Sequence, residues 1–307
     1  MRVAAVDCGT NTVKLLVADL DPETGSEVEL VREARMVRLG QGVDRTGELA
    51  AEALARLFAA VDEYAALVAE HDVGAVRFCA TSAARDARNA EVFLSGVEER
   101  LGVRPEIIAG AEEARLSFDG ATRGLGDRPA PLLVVDIGGG STELVLGSAH
   151  GRVEAGHSLD IGSVRMTERH LHGDPPSSAE VEAAAAQVEA ALDTLPGAGV
   201  DLARTATAVA VSGTGLTVAA AVLGLPRFDR EVLHHAVVPA EGVHDATAML
   251  LGMTVEERRA LPYMHPGRAD VIGAGALILD RVLQHAGVDE LRVSVSDILD
   301  GIAWSLV

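Results

Sequence analysis

Two stretches of the chain repeat one design. Residues 3–17 read VAAVDCGTNTVKLLV, and residues 132–146 read LLVVDIGGGSTELVL. Laid over each other, Asp7 falls on Asp136, Gly9 on Gly138, Thr12 on Ser141 and Lys14 on Glu143. Each stretch is an apolar run ending in an acidic residue, then a turn of small residues, then a second apolar run. That pattern predicts a β-hairpin whose turn exposes backbone N–H groups beside a carboxylate. A chain carrying the unit twice is expected to build two related halves with a cleft between them. Its 307 residues suit two domains of about 100–200 residues each.

The remaining segments fit an α/β pattern. Apolar spacing predicts a helix over 48–71, a short strand over 74–81 and a helix from about Arg85. Residues 111–123 read as helical. GLGDRPAP at 124–131 is a Gly/Pro-rich link, which places the division at an N-terminal domain of 1–124 and a C-terminal domain of 125–307. Beyond it, 177–195 is a helix with a serine cap, and 206–213 is a strand running into Gly213-Thr214-Gly215. A helix follows from 216, another spans 270–287, 291–297 is a strand, and 298–307 is a terminal helix.

Composition narrows the function classes. Hydrophobic residues make up 48% but aromatics only 3%, so each core is filled by Ala, Val and Leu. No apolar run reaches the roughly 18–20 residues of a membrane-spanning helix. The N-terminus lacks a signal-peptide pattern. Cys8 and Cys79 form no CxxC pair, in keeping with reduced thiols in a cytoplasmic protein. Net charge is −20, from 46 acidic and 26 basic residues. That argues against DNA or RNA as a partner, since backbone binding needs a basic surface. The same objection faces any polyanionic substrate, and local arginines must answer it. Arg32, Arg35, Arg38 and Arg45 cluster in an otherwise acidic chain. A strand would turn only some of them to one face, and Arg38, before Leu-Gly-Gln-Gly, is the best placed.

Glycine turns after strands cradle phosphate because the backbone can approach and present several N–H groups. Gly138, Gly139 and Gly140 supply such a turn, although a tight hairpin alone would also account for them. Asp136 and Glu143 flank it. Carboxylates beside a phosphate cradle make electrostatic sense when a divalent cation sits between them, and Mg²⁺ is the natural candidate. Glu112-Glu113-Ala114-Arg115 opens a helix where a carboxylate could orient a water, while acidic residues in a first turn also suit the helix dipole. Thr81, Ser82, Arg85 and Asn89 lie at a strand end and helix start. Arg85 could grip a phosphate there; an N-cap with a solvated arginine is the other reading. The Arg268-Asp270 segment reads as structural and His234-His235 as a surface pair. No His/Cys metal spacing, GxSxG elbow or Walker GxxxxGK[ST] run is present.

With these residues in view, the chain resembles the exopolyphosphatase and guanosine pentaphosphatase family, Ppx/GppA, along nearly its whole length. DCGTNTVKLLV resembles the family's first phosphate loop and RLGQGVD its arginine-glycine segment. ATSAARDARNA resembles its Thr/Arg/Asn segment, IIAGAEEARLSFDGA its catalytic-glutamate segment, and DIGGGSTELVLG its second phosphate loop. GTGLTVAA and ADVIGAGALIL follow in order. The resemblance implies two ribonuclease-H-like domains of the actin, sugar-kinase and heat-shock-chaperone ATPase superfamily around a central cleft. It assigns the catalytic base to Glu113, directly before Ala-Arg. It ties Asp136 and Glu143 to Mg²⁺ and the catalytic water. Phosphate contacts fall to Gly9, Thr10, Asn11, Thr12, Gly138, Gly139, Gly140, Ser141, Thr142, Gly213, Thr214 and Arg85, with Lys14 and Arg38 adding charge. The family's C-terminal Arg-Glu is missing at Ser296–Gly301, and the chain lacks the C-terminal extension of longer members.

These expectations converge on Mg²⁺-dependent release of terminal orthophosphate from inorganic polyphosphate. Hydrolysis of guanosine pentaphosphate (pppGpp) needs the same chemistry and stays open. So does a weakly catalytic sensor of alarmone or polyphosphate. A kinase of the wider superfamily is disfavoured by the Glu-Glu-Ala-Arg segment. Homodimers are common in the family, so a homodimer is one assembly the resemblance allows.

Overall fold

The computed structural model describes residues 1–307 except Asp127, Ala149 and His150. The chain divides into two compact units: Met1–Leu116 together with Ile298–Val307, and Ser117–Asp297.

In the first unit, β1 (Arg2–Cys8), β2 (Thr12–Asp21) and β3 (Ser26–Met36) form an antiparallel meander. The chain passes through α1 (Val43–Thr46) and α2 (Ala51–Glu70) into β4 (Ala75–Ala80). It continues through α3 (Ser82–Asp86), α4 (Ala90–Leu101) and β5 (Glu106–Ile107). The sheet order is β3-β2-β1-β4-β5, with β4 parallel to β1 and β5 parallel to β4. Successive side chains of a strand point to opposite faces, and β1 is apolar on both. Ala4, Val6 and Cys8 join one core with Leu57, Val61 and Tyr64 of α2 and Phe93 of α4. Val3 and Ala5 join another with Leu116, Ile298, Leu299 and Ile302. Each such large apolar side chain contributes about 1.5–3 kcal/mol on full burial. The buried Tyr64 hydroxyl donates to Val13 O at 3.0 Å, so its polar end is satisfied.

The helix α5 (Gly110–Thr122) leads into the second unit. There β6 (Leu132–Ile137), β7 (Thr142–Gly147) and β8 (Val153–Leu159) repeat the antiparallel meander. After α6 (Ser163–His170) and α7 (Ser178–Leu192), β9 (Thr207–Val211) runs parallel to β6. Ser177 and Glu180 close a reciprocal capping box at the head of α7. The chain then forms α8 (Ser212–Val222), α9 (Arg230–Leu233), β10 (Val237–Pro239), α10 (Ala240–Gly252) and α11 (Val255–Arg259). It ends this unit with α12 (Ile272–Ala286) and β11 (Glu290–Val293). The order β10-β11-β9-β6-β7-β8 contains β8-β7-β6-β9, matching β3-β2-β1-β4. Both units therefore carry the ribonuclease-H-like arrangement of the actin-like ATPase fold.

The last helix, α13 (Ile298–Trp304), belongs to the first unit. The sequence-based division gave it to the second, because order along the chain does not show where a helix buries its apolar face. Ile298, Leu299, Ile302, Ala303 and Trp304 pack on the β1 face, Arg32 bonds to Asp300, and Trp304 Nε1 donates to Glu27 at 2.8 Å. Gly301 is required there: a Cβ would lie 2.0 Å from Leu116 O. The division itself falls within α5 and not in the link at 124–131, of which Asp127 lies outside the described residues. Cys8 and Cys79 are both buried free thiols, and burial pushes the Cys79 thiol up to about 12, so neither is poised as a nucleophile. Among the described residues no helix is long and apolar enough to cross a membrane.

Candidate active site

The two hairpin turns close in the same way. Gly9 N donates to Thr12 O at 3.0 Å, and Gly138 N donates to Ser141 O at 3.0 Å. Other backbone groups then hold each turn from outside. In the first unit, Val37 N and Arg38 N both donate to Asn11 O, at 3.0 and 2.9 Å, and Gly40 N donates to Thr10 O at 2.8 Å. In the second, Ser163 N donates to Gly138 O at 2.9 Å, and Val164 N and Arg165 N donate to Gly139 O at 2.9 and 3.0 Å. With carbonyls tied back, a turn of this kind offers its amide hydrogens to an anion. Gly162 permits the close approach, since a Cβ there would lie 2.5 Å from Gly139 C.

Each turn also meets the helix that follows the neighbouring parallel strand. Thr10 Oγ1 and Ser82 Oγ, at the head of α3, share a buried hydrogen bond of 2.9 Å. Thr214 Oγ1, at the head of α8, donates to Ile137 O at 3.2 Å. The structure thus brings Thr10 and Asn11 together with Ser82 and the backbone of Arg38, and Gly138–Ser141 together with Gly213 and Thr214. Arg38 holds a left-handed conformation (φ 51°), uncommon for a residue with a side chain.

The adjacent glutamates of α5 differ sharply. Glu113 is 6% exposed, and its Oε2 lies 3.3 Å from Arg85 Nη1, which also donates to Ile108 O at 3.0 Å. Glu112 is half-buried and accepts from Arg77 Nη2 at 2.7 Å. Arg77 also grips Glu106, and the Glu106 hydrogen bond is the main reason its guanidinium is held above the usual range. Arg85 therefore orients Glu113, a role that sequence did not assign to it.

Asp136 and Glu143 stand directly opposite each other across β6 and β7, 6% and 2% exposed. Ser117 Oγ donates to Asp136 Oδ2 at 2.7 Å, and Ser158 Oγ donates to Glu143 Oε1 at 2.7 Å. Like charges facing each other on one sheet face are destabilising, and burial deepens the cost. In the first unit the matching pair is Asp7 opposite Lys14, an ion pair at 3.5 Å. The same hairpin is neutralised internally in one unit and left doubly acidic in the other. A pair of carboxylates with serine hydroxyls orienting them fits Mg²⁺, whose remaining positions are ordinarily filled by water and substrate oxygens. Among the described residues no group of three or more His, Cys, Asp or Glu side chains forms a metal cage.

Arg268 was read from sequence as structural. Its guanidinium lies against Gly213, where a Cβ would sit 2.2 Å from Cζ. Burial lowers its pKa, with the nearby Asp297 opposing that shift. A cation at the head of α8 opposes the helix dipole unless an anion is expected there. The available signal was its place just before the glycine-rich stretch ADVIGAGAL. Ser117 and Ser158 had no signal, because serines of this kind are common on helices and strands. Of the arginine cluster, Arg32 pairs with Glu29 and Asp300, and Arg35 pairs with Glu33 and Glu63. Both are spent on structural ion pairs, whereas Arg38 is the member whose backbone N–H holds the first turn, at Asn11 O.

The description of the Ppx/GppA phosphatase family matches residues 21–307. The chain is 47% identical to Exopolyphosphatase 2 of Mycobacterium tuberculosis, over 99% of this chain and 98% of that one. Among solved structures, an exopolyphosphatase-like protein superposes with a TM-score of 0.95 at 42% identity, covering 99% of this chain and 97% of the other. The PPX-GPPA enzyme of Aquifex aeolicus gives a TM-score of 0.83 at 31% identity, covering 99% of each.

Proposed function

The chain belongs to the Ppx/GppA phosphatase family, and on that footing we propose that it is an exopolyphosphatase, releasing terminal orthophosphate from inorganic polyphosphate by Mg²⁺-dependent hydrolysis. The observation that carries this reading is the asymmetry of the repeated hairpin: Asp7 faces Lys14, whereas Asp136 faces Glu143. Two phosphate-binding turns, of which only one is set to take a cation, suit a substrate that is a run of phosphates with chemistry at one of them.

Each unit contributes separately to the reaction. In the first, the amides of Gly9–Thr12 and the charge of Lys14 and Arg38 hold phosphate oxygens, and Arg85 fixes the Glu113 carboxylate. Glu113 orients the attacking water and accepts its proton as oxygen bonds to the terminal phosphorus. The bridging P–O bond breaks, and the shortened chain departs with the electron pair. In the second unit the Gly138–Thr142 turn, Gly213, Thr214 and Arg268 bind phosphate oxygens. Asp136 and Glu143 would hold Mg²⁺, which when bound offsets charge on those oxygens. Catalysis on this scheme is positioning and electrostatics, as is general for phosphoryl transfer.

A phosphate-release panel tests the reading: polyphosphates of several lengths, pppGpp and ATP, each with and without Mg²⁺. Release from polyphosphate that EDTA abolishes is the expected result. Turnover of pppGpp alone would replace it with the alarmone reaction. Tight polyphosphate binding without turnover at saturating Mg²⁺ would replace it with a sensor.

A further inference from the structure

The first phosphate turn is held from outside by an irregular segment, residues 37–42, that follows β3. Val37 N and Arg38 N converge on Asn11 O, and Gly40 N takes Thr10 O. Between them the backbone bends through Arg38, whose φ is 51°. A residue with a Cβ keeps such a conformation only where its surroundings over-determine it. Val37 and Leu39 anchor it on either side, both buried in the core that also holds Leu57 of α2. Val37 lies one residue past β3, the edge strand of its sheet. No backbone N–H among the described residues donates to its carbonyl.

A side chain takes that carbonyl instead. Arg56, on α2, donates from Nε to Val37 O at 2.8 Å. Arg32 and Arg35 each meet two carboxylates, whereas among the described residues Arg56 has no carboxylate within ion-pair distance and no second hydrogen bond. In a chain with 46 acidic residues, this arginine is placed by a backbone carbonyl and not by charge pairing. The C=O of Val37 and the N–H of Arg38 belong to one planar peptide unit. Arg56 grips one edge of that plane and Asn11 O the other. Rotation of the plane would change φ of Arg38, so the two bonds together fix the left-handed angle.

We propose that Arg56 is a positioning residue for the first phosphate turn: by pinning the Val37–Arg38 peptide it keeps the Arg38 amide on Asn11 O, and so keeps the amides of Gly9–Thr12 turned toward phosphate. That the phosphate belongs to polyphosphate rests on the reading above; the pinning itself does not. Without the Arg56 bond the peptide is free to rotate, Arg38 relaxes to an ordinary negative φ, and its N–H leaves the turn.

Two near-isosteric replacements test this. Arg56→Gln places an uncharged N–H donor as many bonds from the backbone as arginine Nε, and Arg56→Met places a methyl group there; both residues suit a helix. Hydrogen exchange of the Arg38 amide, followed by NMR, should quicken at least about tenfold in the methionine variant and return near wild type in the glutamine variant. Calorimetric titration with linear tripolyphosphate, without Mg²⁺, should show about a tenfold loss of affinity with methionine, largely restored by glutamine. In polyphosphate hydrolysis the methionine variant should raise KM with kcat kept within about twofold, the mark of lost uniform binding. A chain that leaves polyphosphate intact would end the polyphosphatase reading, while the exchange and tripolyphosphate measurements still decide this one. Unchanged Arg38 exchange in Arg56→Met, equal losses in both variants, or no saturable tripolyphosphate binding by the wild type overturns the proposal. So does faster exchange with unaltered tripolyphosphate affinity.

Discussion

Lys14 lies opposite Asp7 across the β1–β2 pair, with its Nζ 3.5 Å from the carboxylate. The matching residue in the second unit is Glu143, so where the first unit has an ion pair the second has two facing carboxylates, the pair proposed to hold the cation. Glu143→Lys should rebuild the first unit's pair in the second. The variant should fold, because Asp136 gains the partner that Asp7 has, yet lose Mn²⁺ affinity by at least about tenfold. Electron paramagnetic resonance of free Mn²⁺ and a thermal melt read the two properties separately. Unchanged metal affinity would remove Glu143 from the metal site.

Ser117→Ala removes the 2.7 Å hydrogen bond to Asp136. Outer partners of ligating groups typically set about 10–100-fold of metal affinity. Half-maximal activity should therefore need about tenfold more Mg²⁺, with activity at saturating Mg²⁺ largely recovered.

Glu113→Gln should lower kcat by about 10²–10⁴-fold, the usual contribution of a residue acting on a transferred proton. Substrate binding should be kept, since a neutral amide does not repel phosphate. Glu112→Gln should stay within a few-fold of wild type, because Glu112 is occupied by Arg77 in a surface pair worth about 0–1 kcal/mol. The reverse outcome would move the catalytic assignment by one residue.

Arg268→Ala should weaken polyphosphate binding by about tenfold or more, the equivalent of one charge-assisted hydrogen bond. Gly213→Ala should do the same without touching the charge, because its Cβ would occupy the place of the guanidinium. Arg38→Ala should weaken binding too. Sequence alone ranked Arg38 above Arg268; the placement of Arg268 on Gly213 makes its effect at least equal. Affinity should fall with added salt, as screening shortens to about 8 Å at physiological ionic strength.

Glu180 gives a pH signature. Its carboxylate accepts from Ser177 N and Oγ, then from Gly173 N and His172 N, and is held down from an ordinary 4.5 to about 2. The folded state thus binds fewer protons than the unfolded state between those values, so the stabilisation is full above about pH 4.5 and lost as pH falls toward 2. Glu180→Gln should melt below wild type at pH 7, with the gap closing in strongly acid solution.

Much of this was legible because strand and turn chemistry is local. The repeated acidic residue, small-residue turn and apolar runs identify both hairpins and put Asp136 and Glu143 on either side of the glycine turn without coordinates; their direct pairing across β6 and β7 comes from the register. What escaped was set by packing at a distance. That α8 begins at Ser212 and not at Leu216 depends on the unusual φ of 59° that Ser212 adopts after β9. Arg85 was read for phosphate, and only the path of α5 past α3 reveals its grip on Glu113. Nothing in the spacing of Ser117 or Ser158 distinguishes a hydroxyl aimed at a carboxylate from one facing solvent.

The return of α13 to the sheet of the first unit has a consequence for biosynthesis. Residues of the second unit, Ser117–Asp297, are contiguous and emerge from the ribosome as a finished set. The first unit begins earlier but waits for Ile298, Leu299 and Ile302 to cover Val3, Ala5 and Leu16. Domains fold as units during synthesis, and uncovered apolar surface invites aggregation. The unit translated first is therefore the one completed last, and one face of its β1 stays uncovered by α13 throughout translation of the other.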